Sequence, residues 1–223
     1  MKKAAFFDFD KTLFSTYAIF PFVDFLEKKG FLERKQKDEY YRILKDYKQG
    51  KRGYELTVRL LLKKIAKHIE SRQVSLIDSL SKAFAEKNRD LFFPFASDLV
   101  DLLRRGGYKN VVISGEPNFI IKYLAIDFLR IKKLITTNYE EKGKKYTGKI
   151  TRFLDYKSEK EKEIKKIALK QKIDLSKSLA FGDSEGDMAM LALVGYPLAV
   201  NPSKGLRKLA VDKGWMIVNK SDT

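Results

Sequence analysis

Cysteine is absent from this chain of 223 residues, and histidine occurs only once. The absence of cysteine excludes disulfides, thiolate metal sites and a cysteine nucleophile. No apolar run approaches the roughly 18 residues that a membrane-spanning helix needs. The apolar stretch near the N-terminus is interrupted by Asp8 and Asp10, so it is too short for the hydrophobic region of a signal peptide. We therefore expect a soluble protein, and the lack of cysteine fits a reducing cytoplasm.

Acidic residues are also in short supply, because 46 basic residues accompany 29 acidic ones and the net charge is +17. A basic surface attracts nucleic acid, anionic lipid or phosphorylated metabolites. The two signs are interleaved almost everywhere, however, which is typical of solvated helix faces. No RNA-binding signature or helix-turn-helix pattern stands out. Nucleic-acid or anionic-lipid binding remains an alternative main function, and we expect no stable nucleic-acid partner.

Short apolar segments alternate with helical ones along much of the chain. This alternation predicts an α/β fold, with a parallel sheet of five or six strands that is sandwiched by helices. A glycine-containing stretch at 140–152 predicts a hairpin. The predicted strands are residues 3–9, 109–114, 132–138, 178–183, 196–201 and 214–218.

The stretch 15–90 lacks a buried-strand signal. Within it, residues 27–73 hold 15 basic and 7 acidic residues, so their local charge is 15 − 7 = +8. The single histidine, His68, belongs to this basic region, and we expect it to be exposed and not catalytic. We predict an all-helical domain at 15–90, inserted into a core formed by 1–14 and 91–223. Its helices are predicted at 18–27, 58–69 and 73–85, the second from an apolar stripe.

Carboxylates follow two of the predicted strands, Asp8 and Asp10 after the first and Asp183 and Asp187 after the fourth. The carboxyl ends of parallel strands build the binding crevice in open α/β sheets. Two carboxylates one residue apart need a cation or a proton to coexist. This pattern indicates a site that binds a cation or shares a proton.

A possible anion site follows the second strand. Ser114 and Gly115 precede a helix that we expect to begin at Pro117. A hydroxyl beside free N–H groups at a helix start can hold an anion. A lysine near residue 160, at the start of another helix, would add positive charge.

These segments resemble, in order, the four motifs of the haloacid dehalogenase-like (HAD) superfamily. They read DFDKTL from Asp8, ISG from Ile113, a lysine near 160, and GDSEGD from Gly182. The helical insert and the tail that begins at Ala199 resemble the phosphoserine-phosphatase-like branch. The resemblance implies a Rossmann-like core with a helical cap. It also implies a magnesium-dependent phosphatase that acts on a small phosphorylated metabolite through an aspartyl-phosphate.

The resemblance also implies a role for each motif residue. Asp8 would be the nucleophile, Asp10 the general acid and then the general base, and a lysine would neutralise charge. Magnesium would bind Asp8, Asp183 and the carbonyl of Asp10, and Asp187 would support the metal or the lysine from outside the coordination shell. The phosphate ligands would be Thr12, Ser114 and the N–H of Gly115.

Three lysines compete for the role of the catalytic lysine, namely Lys157, Lys160 and Lys162. Counting back from Asp183 along the family pattern favours Lys160, because apolar residues then fall at the core positions of its helix. Instead of supporting the metal or the lysine, Asp187 could cap the following helix.

The presence of Asp10 favours phosphate esters over haloalkanoates as substrates, because dehalogenation needs no such acid. A phosphomutase or other phosphotransferase remains an alternative activity. Tyr17 stands where phosphoserine phosphatases carry a glutamate that binds the substrate ammonium, Gly186 replaces an asparagine, and Glu116 replaces a small residue. These departures count against phosphoserine. The aromatic residues Phe14, Tyr17 and Phe20 fit either a substrate pocket or the core of the cap.

Overall fold

Short apolar segments form the strands of a single sheet in the part of the chain that the structure describes. The computed structural model describes residues 2–154 and 157–219, without the side chains of Lys157 and Ser158. The strands are β1 (Lys3–Phe7), β2 (Tyr108–Pro117), β3 (Lys133–Lys142), β4 (Lys145–Arg152), β5 (Leu179–Gly182), β6 (Tyr196–Val200) and β7 (Met216–Val218). Their order is β4-β3-β2-β1-β5-β6-β7. Only β4, which pairs with β3, runs antiparallel to its neighbour.

Helices connect most of these strands. They are α1 (Ile19–Lys28), α2 (Arg34–Lys48), α3 (Tyr54–Ile69), α4 (Val74–Lys87), α5 (Ala96–Arg105), α6 (Asn118–Tyr123), α7 (Lys157–Gln171), α8 (Met188–Leu191) and α9 (Lys204–Lys213). A π-helical segment at Leu124–Phe128 continues α6. None of the helices in the described ranges combines the length and the hydrophobicity that a membrane span requires.

Both faces of the sheet are covered, as β1 shows. Ala5 and Phe7 belong to one hydrophobic cluster, and Ala4 and Phe6 belong to another. All four side chains are fully buried, because alternate residues of a strand point to opposite faces. This confirms the predicted α/β sandwich and explains why β1 reads as a continuous apolar run.

The helical region between β1 and β2 packs against one face of the sheet. Ile65 of α3 and Phe84 of α4 share a hydrophobic cluster with Phe7 of β1. Residues 27–73 contain no strand, but Gln73 forms an isolated bridge to Lys145 of β4. The insert therefore touches the edge of the sheet as well as its face.

Several details differ from the sequence prediction. The sheet has seven strands rather than five or six, because the hairpin at 140–152 extends β3 and adds β4 to its edge. Helix α2 was not predicted, since Tyr40 is its only buried residue and no apolar stripe marks it. Pro117 ends β2 and caps α6 instead of being the first helical residue. His68 is half-buried beside the ring of Tyr40 rather than exposed.

Candidate active site

The loop after β1 places two carboxylates at the carboxyl end of the central strand. The backbone N–H of Asp8 donates to the carbonyl of Phe181 in β5, at 2.9 Å, so the chain stays beside β5 as β1 ends. A tight turn follows, in which Lys11 has a left-handed backbone with φ of 56°. Asp10 Oδ1 accepts a hydrogen bond from the N–H of Ala18 at 2.9 Å. This bond ties Asp10 to the start of α1.

The loop after β5 is organised by Asp187. Its Oδ2 accepts hydrogen bonds from the N–H groups of Asp183 and Ser184, both at 3.2 Å, and from Ser184 Oγ at 3.1 Å. A Cβ at Gly182 would lie 2.5 Å from the Cβ of Asp187, closer than real Cβ contacts allow. Only glycine at position 182 therefore lets Asp187 fold back under the loop and hold Asp183 at the site.

Lys160, at the start of α7, joins the two loops. Its Nζ lies 2.6 Å from Asp8 Oδ1 and 2.6 Å from Asp187 Oδ1, and all three side chains are buried. Lys162 points to solvent, with 70% of its side chain exposed. The side chain of Lys157, the third candidate, lies outside the described residues. The geometry thus brings Lys160 to the carboxylates.

The carboxylates at this point need a cation or bound protons to lie so close together. Carboxylate oxygens of Asp8, Asp183 and Asp187 lie within 4.8 Å of one another. Burial, and next the charge of Asp187, raise the pKa values of Asp8 and Asp183. Burial lowers the pKa of Lys160, but Asp187 and Asp8 outweigh it and raise that pKa, so the lysine stays charged. One lysine cannot neutralise three buried carboxylates.

This donor set fits a metal ion. Asp187 already accepts hydrogen bonds at both oxygens, from Lys160 and from the loop. Asp8 and Asp183 have fewer donors among the described residues, so their oxygens are better placed for a cation. Hard divalent cations prefer such oxygen ligands. The acidic cluster is consistent with a metal site held by Asp8 and Asp183, with Asp187 behind them.

The predicted phosphate ligands lie close to these carboxylates. Ser114 and Gly115 line the same cavity as Asp8, Asp10 and Lys160. Both lie inside β2 rather than after it. The strand continues past an irregularity in its pairing with β3 and ends at Pro117. Thr12 follows in the turn after Asp10. Its Oγ1 is buried and has no hydrogen-bond partner within the described ranges, but Thr12 does not line the cavity itself.

Glu116 is a residue of this site to which the sequence assigned no role. It is buried, lines the cavity and lies beside Asp10. Its Oε1 accepts a hydrogen bond from the N–H of Ile19 at 3.1 Å. Burial, and next Glu116, raise the pKa of Asp10. The one signal in the sequence was an acidic residue directly after Ser-Gly, where the family has a small one.

Comparison with known proteins decides the family. Residues 5–192 match the model of the haloacid dehalogenase-like hydrolases. The chain belongs to this family. It is a HAD-type phosphatase, a phosphoric monoester hydrolase of the phosphoserine-phosphatase-like branch. The family prediction from the sequence motifs is confirmed.

The similarity to known proteins covers nearly all of this hydrolase. The histidinol-phosphatase of Neisseria meningitidis serogroup C is 28% identical over 98% of this chain and 99% of that protein. The phosphoserine phosphatase of Methanocaldococcus jannaschii is 27% identical over 89% of this chain and 85% of that protein. A solved structure of a protein of unknown function from Bordetella pertussis has a TM-score of 0.83 at 23% identity, over 99% of each chain, which shows the shared fold.

Most of the remaining cavity wall of the hydrolase comes from the helical insert. Tyr17 and Phe20 lie on it, as one of the two readings of the sequence proposed, whereas Phe14 is fully buried and belongs to the core. Tyr47 and Tyr54 also line the cavity and were missed. They belong to α2 and α3, which are distant in sequence from every motif.

Proposed function

We propose that this HAD phosphatase hydrolyses small phosphomonoesters through an aspartyl-phosphate on Asp8, with Mg²⁺ as its cofactor. One observation carries the proposal. Lys160 bridges Asp8 and Asp187 at the carboxyl ends of β1 and β5, and Asp183 completes an acidic cluster beside them. Phosphoryl transfer depends mainly on such positioning and on charge stabilisation.

In the first step, a carboxylate oxygen of Asp8 attacks phosphorus, and the bond from phosphorus to the leaving oxygen breaks. Asp10 donates its proton to that oxygen, so the alcohol leaves neutral. The hydrogen bond from the N–H of Ala18 to Asp10 Oδ1 holds the acid in place.

In the second step, water attacks phosphorus of the aspartyl-phosphate, and Asp8 is released as a carboxylate. Asp10, now deprotonated, accepts the proton of the water. The hydroxyls of Thr12 and Ser114 and the N–H of Gly115 hold the phosphoryl oxygens through both steps. Lys160 offsets the negative charge that Asp8 and the phosphoryl group bring together.

The metal would be held by Asp8, Asp183 and the carbonyl of Asp10. Bound there, Mg²⁺ supplies positive charge and aligns the phosphoryl group with the nucleophile. The acidic cluster supports this assignment, because its carboxylate oxygens lie within 4.8 Å of one another and need a cation or protons to coexist.

The substrate class is a small phosphorylated metabolite. The names of two relatives, a histidinol-phosphatase and a phosphoserine phosphatase, support this. The aromatic cavity wall supports it too, since helices of the insert stand over the site. We propose that residues 15–90 act as a cap on a core of 1–14 and 91–223. A cytoplasmic location remains an expectation from the sequence.

The test is phosphate release from a panel of phosphomonoesters, with Mg²⁺ and again after chelation with EDTA. We expect turnover of at least one ester that stops on chelation and returns when Mg²⁺ is added back. Full activity in the presence of EDTA would remove the metal from the proposal. Failure with every ester, including p-nitrophenyl phosphate, would overturn the phosphatase activity itself.

A further inference from the structure

The cavity has two chemically different ends. Asp8, Ser114 and Lys160 mark the phosphate end. The rest of the cavity wall is largely apolar and aromatic, and it includes Tyr17, Phe20, Tyr47, Tyr54, Val58 and Leu61. A phosphate placed against Asp8 must direct its alcohol toward that wall. The wall therefore selects the leaving group.

Glu116 is a charged residue of this wall that lies beside Asp10. The residue is only 7% exposed. Its Oε1 accepts from the N–H of Ile19, whereas its Oε2 is buried and has no hydrogen-bond partner among the described residues. A buried carboxylate oxygen without a donor is costly, so we expect Oε2 to take either a proton shared with the neighbouring Asp10 or a donor from a ligand.

The other charges on the cavity wall restrict what that partner can be. Asp8, Asp10 and Asp183 are acidic as well. Within the described lining, Lys160 is the single basic side chain, and it already bonds Asp8 and Asp187. A carboxylate on the leaving group would meet further negative charge, and Lys11, whose ammonium lies 4.8 Å from the centre of the Tyr17 ring, does not line the cavity. A cationic group would meet Glu116 and the electron-rich faces of the tyrosines.

We propose that Glu116 binds an ammonium group of the leaving alcohol, so that the preferred substrates are phosphate esters of amino alcohols that carry no carboxylate. This inference rests on the proposed phosphatase function. It makes Glu116 a residue that determines specificity in the leaving-group half of the cavity.

A competing use of Glu116 is to share a proton with Asp10, which lies beside it. In that case Glu116 would affect every substrate through the general acid, whatever the leaving group carries. The two uses separate when esters that differ in one group are compared, because an effect on Asp10 is common to both esters and cancels in their ratio.

The experiment measures kcat/KM with Mg²⁺ for two matched pairs of esters. Phenylalaninol phosphate and 3-phenylpropyl phosphate differ only in the amine. Phosphoethanolamine and phosphoserine differ only in the carboxylate. We expect the amine to raise kcat/KM by about tenfold to one hundredfold, the range of a hydrogen bond to a charged group, and the carboxylate to lower it by about tenfold or more.

The variant Glu116→Gln keeps the size of the side chain and the acceptor for Ile19. We expect it to bring the amine ratio close to one, whatever happens to kcat. Glu116→Asp retains the charge, and we expect it to keep part of the preference. If Glu116→Gln slows both esters equally and the ratio persists, Glu116 serves Asp10 alone and the assignment is wrong.

The wild-type ratios test the inference even if a variant fails to fold. Equal rates within the amine pair, or a preference for phosphoserine over phosphoethanolamine, would overturn the leaving-group assignment and leave the phosphatase function intact. Absence of turnover with all four esters and with p-nitrophenyl phosphate would overturn the proposed function, and the assignment would fall with it.

Discussion

Among single residues, Lys160 carries the charge balance of the site. It is buried between Asp8 and Asp187 and lies 2.6 Å from each. Removing one partner of a buried ion pair leaves the other charges uncompensated. We expect Lys160→Met to lower kcat by about a hundredfold or more and the free energy of unfolding by about 3 kcal/mol. Steady-state kinetics and urea denaturation measure the two effects.

Lys162→Met is the matched control on the same helix. Lys162 is 70% exposed and pairs with Glu159 at the surface. A surface pair of this kind adds little, so both kcat and stability should stay at the wild-type values. The reverse pattern, with activity lost in Lys162→Met and kept in Lys160→Met, would show that the catalytic lysine is assigned wrongly.

The two aspartates of the first motif have separable roles. Asp8→Asn should abolish turnover and the covalent phosphoenzyme together, because an amide is a poor nucleophile. Asp10→Asn should slow formation and hydrolysis of the phosphoenzyme, each by about a hundredfold to ten-thousandfold, because one group serves both steps. Rapid quenching in acid with a radiolabelled substrate traps the intermediate. A phosphoenzyme in Asp8→Asn would exclude Asp8 as the nucleophile.

At the scale of the elements, the loop after β5 depends on one close approach. A Cβ at Gly182 would lie 2.5 Å from the Cβ and 2.7 Å from the Cγ of Asp187. We expect Gly182→Ala to cost about 1–3 kcal/mol, the usual range for overpacking. Activity should fall as well, since the displaced Asp187 no longer holds Lys160. Thermal unfolding and kcat, measured on the same preparation, test both parts.

Gly106→Ala is the control for this substitution. Gly106 ends α5 with φ of −73°, and an added Cβ would find its nearest neighbours at 3.4 Å, an ordinary contact. Stability should be unchanged or slightly higher, because alanine restricts the unfolded chain. If both variants lose stability equally, the close approach to Asp187 is not the cause of the loss.

The sequence predicted the elements whose pattern is local. The strand β1 and the stripe of α3 were predicted because burial leaves an apolar run or a helical period. Helix α2 was missed because its charged sequence exposes most of its side chains. The helix begins instead at a capping box, in which Gln36 Oε1 accepts from the N–H of Glu33 at 2.8 Å.

Those site residues that directly follow predicted strands could be found from the sequence. Asp8 and Asp183 end neighbouring strands, so parallel pairing brings them together. Tyr47 and Tyr54 reach the cavity through the packing of the insert, which no local pattern encodes. The unpartnered oxygen of Glu116 depends on where α1 passes, and a sequence alone does not fix that distance.

For the whole molecule, the question is what the net charge of +17 does. The predicted cap carries much of it, and Lys63 and Lys67 stand exposed one turn apart on α3. Positive potential near a cavity draws phosphate esters toward it and raises their association rate. Salt screens this attraction over about 8 Å at physiological ionic strength. Exposed lysines of the cap are therefore expected to act on binding of the substrate rather than on the chemical step.

The prediction is that kcat/KM falls as salt rises while kcat stays constant, provided that association is partly limiting. Reversal of both charges, Lys63→Glu with Lys67→Glu, lowers the net charge by 4, from +17 to +13. This double variant should lower kcat/KM at low salt and lose most of its salt dependence. A control with the same charge change is Lys166→Glu with Lys170→Glu, at exposed positions in the second half of α7.

The control pair lies away from the site, because α7 runs from Lys160 at the carboxyl ends of the strands toward the start of β5. Its reversal should change kcat/KM less than reversal in the cap. Equal losses in the two double variants would mean that the total charge matters and its location does not. A loss of kcat at constant KM in the cap variant would instead place Lys63 and Lys67 in the catalytic step. Unchanged kinetics in both would leave the basic residues as a solvated surface, which the interleaved acidic residues also allow.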